Sequence, residues 1–168
     1  MGIWEFALQV ESDSEKYYRE QAQKTKNEDI KSVLNSLAND EHRHYKIVQN
    51  LQKQIGKFIE AEHDLSAMKT IFSSYQKDFK LLKDQVSIDK LKAEQADVYR
   101  VALAKEQESV ALYKKMQTET QNNEEKAILA RLTKEEEGHV EIIDSIIELL
   151  NHVNDWVESA EFNNPDTY

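Results

Sequence analysis

An internal repeat at a fixed offset of 95 residues constrains this chain more than any other feature. Leu34, Leu37, Glu41, His44, Val48, Leu51 and Ile55 align with Leu129, Leu132, Glu136, His139, Ile143, Ile146 and Leu150. The same offset carries Ala7, Leu8, Glu11, Ser14, Tyr18 and Asn27 onto Ala102, Leu103, Glu106, Ser109, Tyr113 and Asn122. From 34 to 55 and from 129 to 150 the steps alternate between three and four residues, which places each of these two sets on one face of an α-helix. Each copy is therefore a repeated supersecondary unit, a helix–turn–helix of about 50 residues.

Four long helices are expected, near 3–26, 29–56, 88–120 and 124–154. Asn27-Glu28-Asp29 and the Gln121–Glu125 stretch supply the turns, with asparagines able to cap and acids in the first helical turn. Turns this short make each pair antiparallel. The connector 57–87 has 31 residues, too many for a tight turn. A helix of about 25 residues is ~38 Å long, so such a connector can run back along the bundle and leave helices 2 and 3 parallel. Ala67, Met68, Ile71, Phe72, Tyr75 and Phe79 suggest a short amphipathic helix within it, and Ser87 is an expected N-cap for helix 3. The expected organisation is thus all-α: a four-helix bundle over 1–154, with repeats at about 3–56 and 88–154, crossover 57–87 and a C-terminal tail 155–168. In that tail Trp156, Phe162 and Tyr168 are expected to pack on the bundle or on a partner subunit.

Composition removes competing classes. Three glycines and one proline leave too little turn punctuation for an all-β fold. The absence of cysteine excludes disulfides, zinc–thiolate sites, a thiol nucleophile and an intrinsic iron–sulfur or rubredoxin centre. A net charge of −10 gives no electrostatic reason to bind nucleic acid or an anionic membrane surface. The N-terminus shows no secretory signal, and no apolar run approaches the roughly 20 residues that span a bilayer. A soluble, cytoplasmic protein is expected.

Each repeat sets two polar residues in an otherwise apolar stripe. Glu41 and His44 form Glu-x-x-His, with both side chains on one face one turn apart; Glu136 and His139 repeat it. Thirty residues before each motif glutamate stands another inward glutamate, Glu11 and Glu106 respectively. In an antiparallel hairpin such residues face each other at similar height, so four carboxylates and two imidazoles converge on one level of the core. Burying that many like charges is prohibitive without neutralisation. Two divalent ions would balance the four carboxylates, with both histidines neutral, and would bring the formal charge of the chain from −10 to about −6. One imidazole per metal among carboxylates, with no thiolate, suits iron or manganese. Two lone glutamates plus two Glu-x-x-His motifs is the dinuclear pattern of ferritin-like bundles. Glu41 and Glu136 are expected to bridge, Glu11 and His44 to complete one metal, and Glu106 and His139 the other.

Around this set the expectations are blander. Tyr18 and Tyr113 either hydrogen-bond a carboxylate of the site or are ordinary core tyrosines. Asp40 and Glu135, just before the motif glutamates, are expected on solvated helix faces, and His42, His63 and His152 on the surface. Gly138 either opens space beside a metal or permits close helix packing.

With Glu11, Tyr18, EHRH at 41–44, Glu106, Tyr113 and EEGH at 136–139, residues 3–154 resemble the rubrerythrin branch of the ferritin-like superfamily. The terminal WVESAEF and Tyr168 are also similar to small stand-alone members. The resemblance implies a di-iron site reacting with hydrogen peroxide or dioxygen, in a homodimer. Members with a rubredoxin domain carry their own electron donor; this cysteine-free chain is expected to use an external one, such as a rubredoxin or flavoprotein reductase. Rubrerythrins proper also place a further glutamate three residues after the helix-3 ligand, where Ser109 stands here. The six remaining ligands resemble the bacterioferritin set. The leading expectation is a di-iron oxidoreductase. Its alternatives are an iron-storage or ferroxidase protein, and a metal-stapled interaction module.

Overall fold

The computed structural model describes residues 2–53 and 94–162, which form four α-helices and no strand. They are α1 (Ile3–Lys24), α2 (Glu28–Gln52), α3 (Ala96–Glu119) and α4 (Asn123–Phe162). The connector expected over 57–87, with Ile55, His63, its short amphipathic helix and Ser87, lies outside the described residues.

The two turns are built by equivalent asparagines. Asn27 Oδ1 accepts from the backbone N–H of Asp29 at 3.0 Å and of Ile30 at 3.2 Å. Asn122 Oδ1 accepts from Glu124 at 2.9 Å and from Glu125 at 3.4 Å. Each satisfies N–H groups that the helix itself cannot pair. The acids in both first turns, Glu28 and Asp29 in α2 and Glu124 and Glu125 in α4, also complement the helix dipole.

Two boundaries differ from expectation. Helix α3 begins at Ala96 rather than 88, with Gln95 as an extended N-cap residue. Glu94 is bonded instead to Thr25 at the end of α1 and to Tyr99 Oη at 2.9 Å, so it ties the start of α3 to the α1–α2 turn. Helix α4 continues through the expected tail as far as Phe162. No glycine or proline interrupts residues 140–162, and the first breaker is Pro165. No described side chain of α4 is buried after Val153. The side chains of Trp156, Phe162 and Tyr168 lie outside those described.

Helix directions follow from contacts made across the bundle. Tyr18 reaches Glu106 and Tyr113 reaches Glu11, so α1 and α3 run antiparallel side by side. His44 meets Glu135 while Asp40 meets His139, so α2 and α4 do the same. Since α1 and α2 are themselves antiparallel, α2 runs parallel to α3. A pseudo-twofold axis thus exchanges α1 with α3 and α2 with α4, the spatial form of the 95-residue repeat.

The apolar stripes fill two layers. Towards the α1–α2 turn lie Ile30, Leu34, Leu37, Ile143, Ile146 and Leu150, each almost fully buried. Towards the other end lie Ala7, Val48, Met116, Leu129 and Leu132. Burying one such aliphatic side chain contributes roughly 1.5–3 kcal/mol, so the layers hold the helices in register. Between them, at mid-height, the core turns polar.

Candidate metal centre

The polar layer contains Glu11, Glu41, His44, Glu106, Glu136 and His139, every one at most 2% exposed. Each bundle helix contributes: α1 and α3 one glutamate each, α2 and α4 one Glu-x-x-His motif each. Their ligand atoms form two groups, each within 4.8 Å: Glu11, Glu41, His44 and Glu136 in one, Glu41, Glu106, Glu136 and His139 in the other. Glu41 and Glu136 belong to both. The two imidazoles stack with ring centres 5.6 Å apart and planes 19° from parallel.

Both histidines turn Nδ1 inward. His44 Nδ1 lies 2.7 Å from Glu136 Oε1 and 3.6 Å from Glu11 Oε2. His139 Nδ1 lies 3.1 Å from Glu41 Oε1 and from Glu136 Oε2, and 3.4 Å from Glu106 Oε2. Despite these separations, Glu11 Oε2, both oxygens of Glu41, His44 Nδ1 and Glu136 Oε1 are buried without a hydrogen-bond partner. Buried polar atoms are ordinarily paired. Here their lone pairs converge on common points rather than on each other's protons. Atoms placed this way fit a cation, and the donor set of oxygens plus one nitrogen per group fits a carboxylate-type divalent metal.

Electrostatics record the same frustration. Burial pushes the Glu41 carboxyl well above its ordinary range, and the neighbouring Glu136, Glu106 and Glu11 push it further. Burial also raises Glu136, to about 7, even though His44 opposes the shift. Burial would lower both histidines, yet Glu136 beside His44 and Glu106 beside His139 hold them well above the usual imidazole value. For Glu106 burial is outweighed by His139 and by the Tyr18 hydroxyl, and the net shift is downward. Without a cation, the layer lowers its charge cost by keeping protons.

The tyrosines bond across the repeat. Tyr18 Oη donates to Glu106 Oε1, and Tyr113 Oη donates to Glu11 Oε1. Both rings are fully buried, and burial raises both hydroxyls well above the ordinary tyrosine range. Each phenol therefore remains a donor that fixes one carboxylate oxygen and leaves the other directed at the cluster.

Asp40 and Glu135 are not on solvated faces. Asp40 is buried, Glu135 is half-buried, and each accepts from the histidine of the opposite motif. His44 Nε2 lies 2.8 Å from Glu135 Oε2, and His139 Nε2 lies 3.4 Å from Asp40 Oδ2. An ionised carboxylate only accepts, so each ring carries a proton on Nε2. Burial would raise Asp40, but its bond to His139 and the charges of His139 and Arg43 hold it below the ordinary value. The 95-residue offset pairs Asp40 with Glu135, and each lies four residues before its motif histidine on the same helix face. That signal was available in the sequence. Side-by-side packing of α2 on α4 is what turns both residues inward.

His42 pairs with Glu15 at 3.0 Å on the surface, and His152 is exposed. Gly138 is buried. Ser109 is buried one turn beyond Glu106.

A four-helix bundle with a buried, twofold-repeated Glu/His cluster defines a protein of the ferritin-like class. The rubrerythrin family model matches residues 3–147, and the chain belongs to that family. No match was found among curated proteins or among solved structures. Family membership and the buried Glu/His groups together indicate a metal-binding site. No helix among the described residues is long and apolar enough to cross a membrane.

Proposed function

We propose that this protein is a di-iron oxidoreductase that reduces hydrogen peroxide or dioxygen. The observation that carries the reading is the pair of ligand groups sharing Glu41 and Glu136, with five buried atoms lacking any partner. In this reading Glu11 and His44 would hold one iron, Glu106 and His139 the other, and Glu41 and Glu136, common to both groups, would serve both. Manganese, or a mixed pair, suits the same donor set. Two bound ferrous ions would supply the two electrons that reduce hydrogen peroxide to two waters as two protons are taken up.

The remaining work falls to the chain. In the metal-free protein Glu41 and Glu136 are held above the ordinary carboxylate range, and they would give up those protons on taking the metal. Tyr18 and Tyr113 fix the outer oxygens of Glu106 and Glu11. Glu135 and Asp40 fix the rings of His44 and His139, so Nδ1 stays free for a ligand bond. Leu37, Leu132 and their neighbours exclude water from both sides of the layer.

In this reading electrons come from an external donor, a rubredoxin or a flavoprotein reductase, and the protein acts in the cytoplasm as a homodimer. Ser109 in place of a further glutamate favours one second reading, a ferroxidase of the bacterioferritin kind. Anaerobic loading with Fe(II), followed by rapid mixing with peroxide or with air-saturated buffer, separates them. Faster oxidation by peroxide supports the peroxidase; faster oxidation by oxygen, with uptake beyond two irons per chain, supports storage. An absence of iron binding would refute both.

A further inference from the structure

The 95-residue repeat does not extend to Arg43. Its equivalent in α4, 95 residues on, is Gly138. Because the pseudo-twofold axis exchanges α2 and α4, a second arginine at 138 would be brought towards the first. Gly138 is buried and presents no side chain there. One guanidinium therefore serves both halves. Its Nη2 donates to Asp40 Oδ1 at 2.7 Å and lies at ion-pair distance, 3.8 Å, from Glu135 Oε2. Asp40 accepts from His139, and Glu135 from His44. Arg43, Asp40 and Glu135 have side chains only 17%, 10% and 19% exposed. They form the layer between the imidazole pair and solvent on the α2–α4 side.

We propose that Arg43 is a positioning residue that couples the two half-sites. By holding both carboxylates, it sets the orientation of both imidazoles and so presents both Nδ1 atoms to the cluster together. This rests on the dinuclear reading of the site. Asp40 and Glu135 each act on one histidine, whereas Arg43 acts on both through them. Both contacts are made by Nη2, the hydrogen bond going to Asp40 and the longer ion pair to Glu135.

The test uses the full chain loaded anaerobically with Co(II), whose paramagnetism moves the exchangeable Nε2–H proton of each ligated imidazole to a resolved NMR position. Wild type should show two such signals in slow exchange with water. Asp40→Asn should speed exchange of the His139 signal alone, and Glu135→Gln that of His44 alone. Arg43→Gln should speed both at least about tenfold and weaken Co(II) binding about 10–100-fold, the usual effect of losing partners behind metal-bound histidines. If Arg43→Gln fails to fold by circular dichroism, Arg43→Lys replaces it, and at least one signal should still exchange faster. The proposal is overturned if either exchange rate in Arg43→Gln stays, or both in Arg43→Lys stay, within about twofold of wild type, whatever happens to stability. If wild type itself binds no Co(II) pair, the dinuclear reading has failed, which is a different outcome.

Discussion

Removing the proton from Glu136 should destabilise the metal-free protein, and the structure sets the scale. Its carboxyl is moved from 4.5 to about 7, chiefly by burial, with Glu11 adding to the rise and His44 opposing it. The folded value lies above the unfolded one, so between those limits the native state keeps a proton that the unfolded chain has released. Stability from this group is therefore complete below about pH 4.5 and is lost as pH rises through about 7. At roughly 1.4 kcal/mol per pH unit the loss is about 3 kcal/mol, or about 6–12 °C in Tm for a chain of this size. Glu41 acts in the same direction, and so do His44 and His139, whose stabilisation fades only as pH climbs through their raised values. Glu15, Asp40 and Glu106 are shifted down; their contribution is present above the unfolded carboxylate value and does not oppose the trend in this window. Urea unfolding of chelator-treated protein at pH 5, 6, 7 and 8 should show stability falling. Glu136→Gln should flatten much of that fall and be more stable than wild type at pH 8. Metal-loaded wild type should show the opposite trend, because binding displaces the stored protons and tightens as pH rises. A metal-free wild type whose stability is flat or rises from pH 5 to 8 would refute the reasoning.

Further outcomes follow from other parts of the bundle. Leu37→Ala and Leu132→Ala, at equivalent and fully buried positions, should each cost about 2–5 kcal/mol in urea unfolding. Asn27→Ala removes the acceptor for two N–H groups at the start of α2 and should cost about 1 kcal/mol in the same assay. Tyr18→Phe removes one of the interactions that hold Glu106 down. The pH midpoint of Co(II) binding, followed by visible absorption, should therefore move upward.

The sequence exposes the bundle because helical spacing and the repeat act together. Glu41 and His44 stand out only because Leu37 and Val48 on the same stripe are apolar, and the second copy removes coincidence. The roles of Asp40 and Glu135 are less visible. Acidic residues beside a motif are ordinarily solvated, and only the packing of α2 against α4 turns them towards the histidines. Arg43 is harder still, since its significance lies in being unmatched by Gly138. At the boundaries, residues 155–162 contain nothing that stops a helix, and α4 continues through them. The late start of α3 depends on Glu94 reaching Thr25 and Tyr99, contacts between segments far apart in sequence.

On the function proposed above, the polar layer takes two metal ions that share Glu41 and Glu136. The most direct test is an anaerobic Fe(II) titration at equilibrium, counting ions bound per chain in wild type and in the Glu41→Ala/Glu136→Ala double variant. Two ions per wild-type chain and loss of the pair in the variant are expected. No binding to wild type, or a double variant that still holds two ions, would contradict that reading.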